Sequence, residues 1–206
     1  METNERRWHF FAVLSRMRYI ERWSLMRSSR PETLSEHSLE VACIAHMLCV
    51  IGNRRFGKSL DSSYAALLGI YHDAPEIITG DLPTPVKYFS KPTRTAYAEV
   101  EEAATQQLLS CLPEDLRLDF EPLLRGATPD DYLAKLVHAA DKISALIKCI
   151  EERSSGNAEF RSAEKTIRQT VDAMAEELPE VDIFVREFLG AYGATLDELL
   201  AEDGSA

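Results

Sequence analysis

Apolar residues recur every three to four positions through almost the whole of this 206-residue chain, and alternating β-branched runs are scarce. That period belongs to amphipathic helices sharing a core, so an all-α fold is expected. The punctuation is specific. Residues 8–20 read as the first helix. A second opens at Thr33-Leu34-Ser35-Glu36, a capping box with Thr33 as N-cap and Glu36 three positions on. It continues through Leu39, Val41, Ile44, Ala45, Leu48 and Ile51 and stops between Gly52 and Gly57. Asp61-Ser62-Ser63 starts a third, carrying Leu67, Leu68, Tyr71 and His72. Pro75 removes a backbone donor and clashes with the turn before it, which predicts a break near Ala74. Gly80 reads as a stop and Asp81-Leu82-Pro83-Thr84-Pro85 as a stiff loop. Helices are expected over 94–112, 113–124 and 129–153, the last striped by Leu133, Leu136, Val137, Ala140, Ser144, Ile147 and Ile150. A turn at 154–157, one or two further helices and a frayed tail over 202–206 complete the reading.

The length suits one well-buried core, hence a single domain over 1–206. No run approaches the ~20 apolar residues of a bilayer span. The opening Met-Glu-Thr-Asn-Glu-Arg-Arg-Trp-His lacks the basic-then-apolar build of a secretory signal. A cytoplasmic protein without a membrane partner is expected. A formal charge of −11 opposes nucleic acid, whose affinity comes from Lys and Arg neutralising phosphates. A small phosphorylated substrate would need cations gathered locally. Cys43, Cys49, Cys111 and Cys149 have no CxxC pairing, which argues against a disulfide or cysteine–zinc framework. Cys43 and Cys149 fall in apolar helical patterns and read as small core residues.

His37, the neighbours His72 and Asp73, and Asp141 offer two imidazoles and two carboxylates. A mixed N/O set of this kind suits a divalent ion, which can make bound water nucleophilic at neutral pH. A lone histidine on a helix is more often a hydrogen-bonded filler than a ligand. Here, however, each group borders an apolar stripe on a different helix: His37 one turn before Val41, His72 one turn after Leu68, Asp141 one turn after Val137. A carboxylate at such an edge is costly unless paired, protonated or metal-bound, and one shared ion satisfies all of them. His46 lies nine positions after His37, about 180° around the helix, and cannot share that ion. His9 lacks an acidic partner at ligand spacing, and His138 reads as a hydrogen-bonded histidine near Asp141.

Glu76 follows His72 by four residues and Asp73 by three, which puts its carboxylate on the metal side if the helix persists. It is the candidate to take a proton from attacking water; otherwise it is a solvent-facing helix-end glutamate. Asp81 in the proline-bounded loop is a second carboxylate, able to serve a leaving oxygen or a substrate hydroxyl, or merely to make a local turn. Arg22-Trp23 pairs a planar phosphate-binding fork with a flat wall for a sugar or base, or covers the core as a surface pair. Lys87 and Tyr88 are weaker candidates of the same kind. The residues alone point to a metal-assisted hydrolase.

The order His37…His72-Asp73…Asp141 resembles the HD-domain phosphohydrolase superfamily. Arg22-Trp23-Ser24-Leu25-Met26-Arg27, Ser35-Glu36-His37-Ser38-Leu39 and Gly80-Asp81-Leu82-Pro83-Thr84-Pro85-Val86-Lys87-Tyr88 resemble, more narrowly, the bacterial HD-domain 5′-deoxynucleotidases, over about residues 9–160. Helices over 161–201 match less well. The resemblance implies an HD-type helical bundle, usually a homodimer, that uses cobalt or manganese to remove phosphate from deoxyribonucleoside 5′-monophosphates and discriminates against ribonucleotides. It implies His37, His72, Asp73 and Asp141 as metal ligands and Glu76 as the catalytic carboxylate. Arg22 would orient the phosphate, and Trp23 would stand where a 2′-hydroxyl would sit. Asp81, Leu82, Pro83 and Thr84 would wrap the nucleoside, with His37, Asp73 and Asp141 also facing the substrate. Two rivals remain at this point. A hydrolase of another phosphate ester, such as a nucleoside triphosphate, would want more cations than Arg22 and Lys87. A metal-binding regulator without activity would have no use for Glu76 and Arg22.

Overall fold

A computed structural model describes residues 7–87 and 89–201, and among these there are helices and no strands. Helix α1 (Phe10–Leu14) tightens into a 3-10 turn, Ser15–Tyr19, where a single helix was expected. Ser15 Oγ donates back to the Ala12 carbonyl at 2.9 Å, a side-chain bond that competes with regular helix. Helix α2 (Leu34–Arg55) starts with the expected capping box: Thr33 accepts from the Glu36 amide, and the Glu36 side chain accepts from Thr33 N. Helix α3 (Ser62–Tyr71) is capped by Asp61 and ends before Pro75, as the sequence predicts, and a short α4 (Glu76–Thr79) resumes after the break. Gly80, at φ +73°, ends α4.

The stretch expected to be loop through Pro85 is loop only as far as Pro83; α5 (Thr84–Lys87) follows. Proline is tolerated there because amides in a helix's first turn have no intrahelical partner to lose. Helix α6 (Lys91–Ser110) begins three residues before the expected start, because Ser90 caps it and Pro92 sits in its first turn. Helices α7 (Glu114–Leu124) and α8 (Asp131–Ser154) follow the sequence reading, α8 being capped by Asp130. Helices α9 (Arg161–Glu177), α10 (Pro179–Glu187) and α11 (Leu196–Leu200) complete the described chain. Tyr88 and the expected tail, 202–206, lie outside the described residues.

Helix α2 is the hub, packing on α3, α8 and α10. Val41, Ile44, Ala45 and Leu48 meet Leu68 of α3 and Leu136, Ile143 and Ile147 of α8 in the main core, which Val181 and Phe184 of α10 extend. A second cluster, formed by Phe10, Ala74, Leu108, Leu112 and Leu124, lies beneath the turn after His72, and Tyr71 packs against both clusters. The His72-Asp73 turn is therefore held from two sides. Over 18 residues α2 is apolar enough to meet the length and composition of a membrane span, contrary to the expectation of no such run; 56% of that window is buried inside the protein. Leu39 is exposed, off the stripe to which the sequence assigned it. Cys43 is also exposed, against expectation, because two positions beyond Val41 is about 200° around the helix. Cys149 is buried as expected, and burial pushes its thiol up to about 12.

Gly69 sets the spacing of α2 and α3. A Cβ built there would lie 2.7 Å from Ala42 Cα and 2.8 Å from Ala42 N, closer than side chains approach backbone. Only glycine lets these helices come so near.

Candidate metal centre and active site

Three elements deliver the four candidate ligands to one place. His37 comes from the first turns of α2, His72 and Asp73 from the turn that Pro75 imposes after α3, and Asp141 from the middle of α8. Ligand atoms of His37, His72 and Asp141 all lie within 4.8 Å of one another. Asp73 joins them, its Oδ2 standing 3.0 Å from His72 Nε2 and 3.6 Å from His37 Nε2, while Asp141 Oδ1 is 3.2 Å from His37 Nε2. His9 and His46 are exposed and outside this group, as their spacing implied, and His138, read as a hydrogen-bonded histidine near Asp141, is exposed as well.

Each imidazole is oriented from behind. His72 Nδ1 lies 2.8 Å from the Gly69 carbonyl, which can only accept, so that nitrogen carries a proton. Ser144 donates its hydroxyl to Glu40 Oε2 at 2.6 Å and can therefore accept from His37 Nδ1, 3.0 Å away. When the two rings are neutral, as ligation requires, the lone pair falls on Nε2, and both Nε2 atoms are buried without a partner in hydrogen-bond geometry. Two orphaned lone pairs facing two carboxylates are what a cation satisfies, and tautomers locked from behind are the usual support of metal-bound histidine. The residues fit a divalent ion.

The electrostatics agree. Burial and then Arg22 push the His37 imidazole down, which keeps it neutral and able to ligate. Burial also opposes charge on His72, but the adjoining Asp73 carboxylate outweighs it and lifts that imidazole to about 9. Burial likewise opposes charge on Asp73, yet His72 holds it at about 2. The pocket demands positive charge at its centre.

Glu76 is buried, 4% exposed, rather than the solvent-facing residue of the alternative reading. Its Oε1 accepts from Lys87 Nζ at 3.0 Å, and its Oε2 is buried without a partner. Burial, then the Asp73 charge, raises its carboxyl to about 7 against the pull of Lys87. Lys87 is shared with Glu101 at 3.4 Å, so it braces Glu76 instead of standing free for a phosphate. A cavity of about 300 Å³ reaches His72, Asp73 and Glu76 from the side of α6 and α7.

Arg22 approaches from the other side, with Nη1 3.4 Å from Asp73 Oδ2. Trp23 follows it with a left-handed backbone, φ +61°, its amide donating to Asp81 Oδ2 at 3.2 Å and its ring 5.2 Å from that of Phe160. Asp81 is thus tied to the Arg22-Trp23 segment, and Leu82 and Pro83, which follow it, are half-buried. Thr84 opens α5.

A sequence profile of the YfbR-like 5′-deoxynucleotidases matches residues 9–192. The chain belongs to that family. A 5′-deoxynucleotidase of Vibrio atlanticus is 46% identical over 191 residues, 93% of this chain and 97% of the relative. The fold is that of an HD-domain phosphohydrolase from Listeria innocua, with a TM-score of 0.78 at 25% identity over 91% of this chain and 90% of that one. A cyanophage S-2L HD phosphohydrolase, bound to dA and one catalytic Zn2+ ion, shares the fold at a TM-score of 0.64 and 16% identity, covering 87% and 95%. The family match runs on past residue 160, through α9 and α10, where the motif resemblance had faded.

Three contributors to this YfbR-like site escape sequence reasoning: Ser144 and Glu40 behind His37, and Glu32, which contacts both Arg22 and Trp23. Ser144 was visible only as a stripe position. A buried hydroxyl amid aliphatics on the helix of Asp141 was the one available signal. Glu32 had none, since its partners lie nine and ten residues back across an irregular loop.

Proposed function

We propose that this chain is a metal-dependent 5′-deoxynucleotidase that hydrolyses deoxyribonucleoside 5′-monophosphates to deoxyribonucleoside and phosphate and disfavours ribonucleotides. Membership of the YfbR-like family makes it a hydrolase of nucleotide phosphomonoesters. The observation that carries the metal dependence is the pair of orphaned, back-braced Nε2 atoms facing Asp73 and Asp141.

In this reading His37, His72, Asp73 and Asp141 hold one divalent ion. When bound, such an ion lowers the pKa of water and offsets charge on phosphoryl oxygens. Cobalt or manganese is our choice from the family resemblance, with zinc, the ion of the cyanophage protein, as the competitor. Arg22 lies against the ligand carboxylate Asp73 and is placed to orient the phosphate, since phosphoryl transfer depends chiefly on positioning and charge stabilisation. Glu76 has a free buried oxygen and a carboxyl near neutrality, which suits a group that accepts a proton from water as its oxygen bonds to phosphorus. The P–O5′ bond breaks and the 5′-oxygen takes a proton from water, with Asp81 our candidate to relay it, while the proton gained by Glu76 returns to solvent. Trp23 forms the wall against the sugar, where a 2′-hydroxyl would lose water without gaining a partner. Leu82, Pro83 and Thr84 close over the nucleoside. We further propose a cytoplasmic homodimer with no nucleic-acid or membrane partner.

The deciding experiment is phosphate release from deoxy- and ribonucleoside mono- and triphosphates with cobalt, manganese, zinc, magnesium or chelator, with Asp73→Asn alongside. The reading expects orthophosphate from dNMPs, little from NMPs, none with chelator and none from the variant. Pyrophosphate or triphosphate release would reassign the substrate, and wild-type turnover by Asp73→Asn would end the metal reading.

A further inference from the structure

One carboxylate oxygen joins the side chains of Arg22 and Trp23. Glu32 Oε2 accepts from Trp23 Nε1 at 2.8 Å and from Arg22 Nε at 3.2 Å, and the Glu32 carbonyl accepts from the Arg22 amide at 2.9 Å. Glu32 stands immediately before the N-cap of α2, the helix that carries His37, and the two chain segments are bridged next door at Glu21 and Thr33. Arg22 and Glu32 side chains are each 12% exposed, so these bonds are largely shielded from water and salt. The backbone of Trp23 is in a conformation that non-glycine residues rarely adopt, so the indole direction is not set by local preference. It is set by Glu32 at one end and by the Asp81 contact at the other.

We propose that Glu32 is a positioning residue that fixes the guanidinium and the indole together, so that phosphate grip and sugar selection are adjusted by one side chain. The proposal rests on the roles given above to Arg22 and Trp23. Its physical content is a division of the guanidinium's donors. With Nε engaged by Glu32 and Nη1 directed at Asp73, the guanidinium is held beside the candidate metal ligands. Without Glu32, Asp73 is the remaining carboxylate of the two that Arg22 contacts. The guanidinium then collapses onto a metal ligand, and the indole loses the acceptor for its N–H and turns away from the sugar.

The test compares Glu32→Ala, Glu32→Gln and Trp23→Ala as manganese-loaded full-length proteins, measuring kcat and KM for dAMP and AMP. Trp23 emission, read in a Trp8→Phe background, supplies a signal independent of turnover. A charge-assisted bond of this kind corresponds to about ten-fold or more. Glu32→Ala is therefore expected to lower the dAMP-to-AMP ratio of kcat/KM about ten-fold, to raise KM for dAMP, and to shift the emission. Glu32→Gln keeps an acceptor oxygen and should recover most of the ratio, which a general loss of structure would not. If Glu32→Ala does not fold, Glu32→Asp takes its place: it keeps the charge but is one methylene too short to reach both donors, and a lowered ratio is again expected. The proposal is overturned if Trp23→Ala collapses the ratio while the Glu32 variants keep wild-type ratio, KM and emission. A ratio that Trp23→Ala itself fails to move would remove the sugar-wall role, and this proposal with it.

Discussion

Replacing Gly69 by alanine sets two effects against each other. Alanine in place of a helix-interior glycine favours the helix by about 1 kcal/mol. The added Cβ, however, would meet Ala42 Cα at 2.7 Å, and the backbone of α2 cannot rotate aside as a side chain can. Bringing that contact out to the 3.4 Å at which ordinary packing begins requires α2 and α3 to part by about 0.7 Å. Overpacking on this scale costs about 1–3 kcal/mol, leaving a net loss between zero and about 2 kcal/mol, which a folded domain survives. The metal centre is less forgiving. Gly69 supplies the carbonyl that orients His72, and α2 carries His37 five residues before Ala42. The same movement therefore separates two imidazoles whose centroids now lie 5.4 Å apart. Metal–ligand distances tolerate about 0.2 Å, so manganese affinity should fall at least about ten-fold while far-UV circular dichroism stays unchanged. Calorimetric titration with manganese, together with urea denaturation in chelator, separates the two quantities. A variant more stable than wild type with undiminished metal affinity would refute the argument that the helices meet through this glycine.

Ser144→Ala leaves His37 Nδ1 and Glu40 without their shared hydroxyl; manganese affinity should drop about ten- to a hundred-fold by titration calorimetry with the thermal midpoint little changed, and equal affinity would remove Ser144 from the site. Glu76→Ala should lower kcat about 10²- to 10⁴-fold while metal affinity and KM for dAMP are kept, so a raised KM at wild-type kcat would contradict its role. Glu152 anchors the 27–30 loop: its carboxylate accepts from the Ser29 amide at 2.8 Å and from Asn157 Nδ2 at 2.7 Å, and it is paired with Lys148. Burial opposes its charge, but these partners outweigh burial and hold the carboxyl at about 2, below its ordinary 4.5. A lowered acid adds stability that is fully present above about 4.5 and lost as pH falls toward 2. Urea midpoints should thus fall more steeply from pH 6 to pH 3.5 in wild type than in Glu152→Gln; parallel curves would show that this carboxylate is not shifted.

What the sequence makes legible is whatever lies within one helical turn. The capping box at Thr33 and Glu36, the break at Pro75 and the stop at Gly80 are local bargains between neighbours, and each stands where it was read. The candidate ligands were legible for a related reason, since each is a polar group at the edge of an apolar stripe. Periodicity without phase misplaces residues: Cys43 and Leu39 sit inside an apolar run but off its buried face. Pro85 looks like a breaker in sequence, yet in a first turn it costs no hydrogen bond. Contacts that span the chain were invisible. Ser144 meets Glu40 across 104 residues and His37 across 107, and no spacing rule couples them. Nothing in the sequence marks Gly69, because its reason for being glycine is the backbone of another helix.

Charge balance explains why the metal reading and the phosphate reading stand or fall together. The cations around the cluster are already matched by carboxylates: Arg22 by Glu32 and Asp73, Lys87 by Glu76 and Glu101, Lys142 by Asp141. Asp81 adds a further acidic group beside Trp23. A phosphate dianion entering this pocket meets acids in excess, on a chain whose formal charge is already −11. A unit-charge pair at about 4 Å is worth about 4 kcal/mol at the effective dielectric near a protein surface, so this imbalance is large on the scale of binding. Arg22 orients an anion but does not by itself attract one here. Two positive charges held between His37, His72, Asp73 and Asp141 would reverse the sign of the pocket, so under the proposed function the ion would be a condition of substrate binding as well as of water activation.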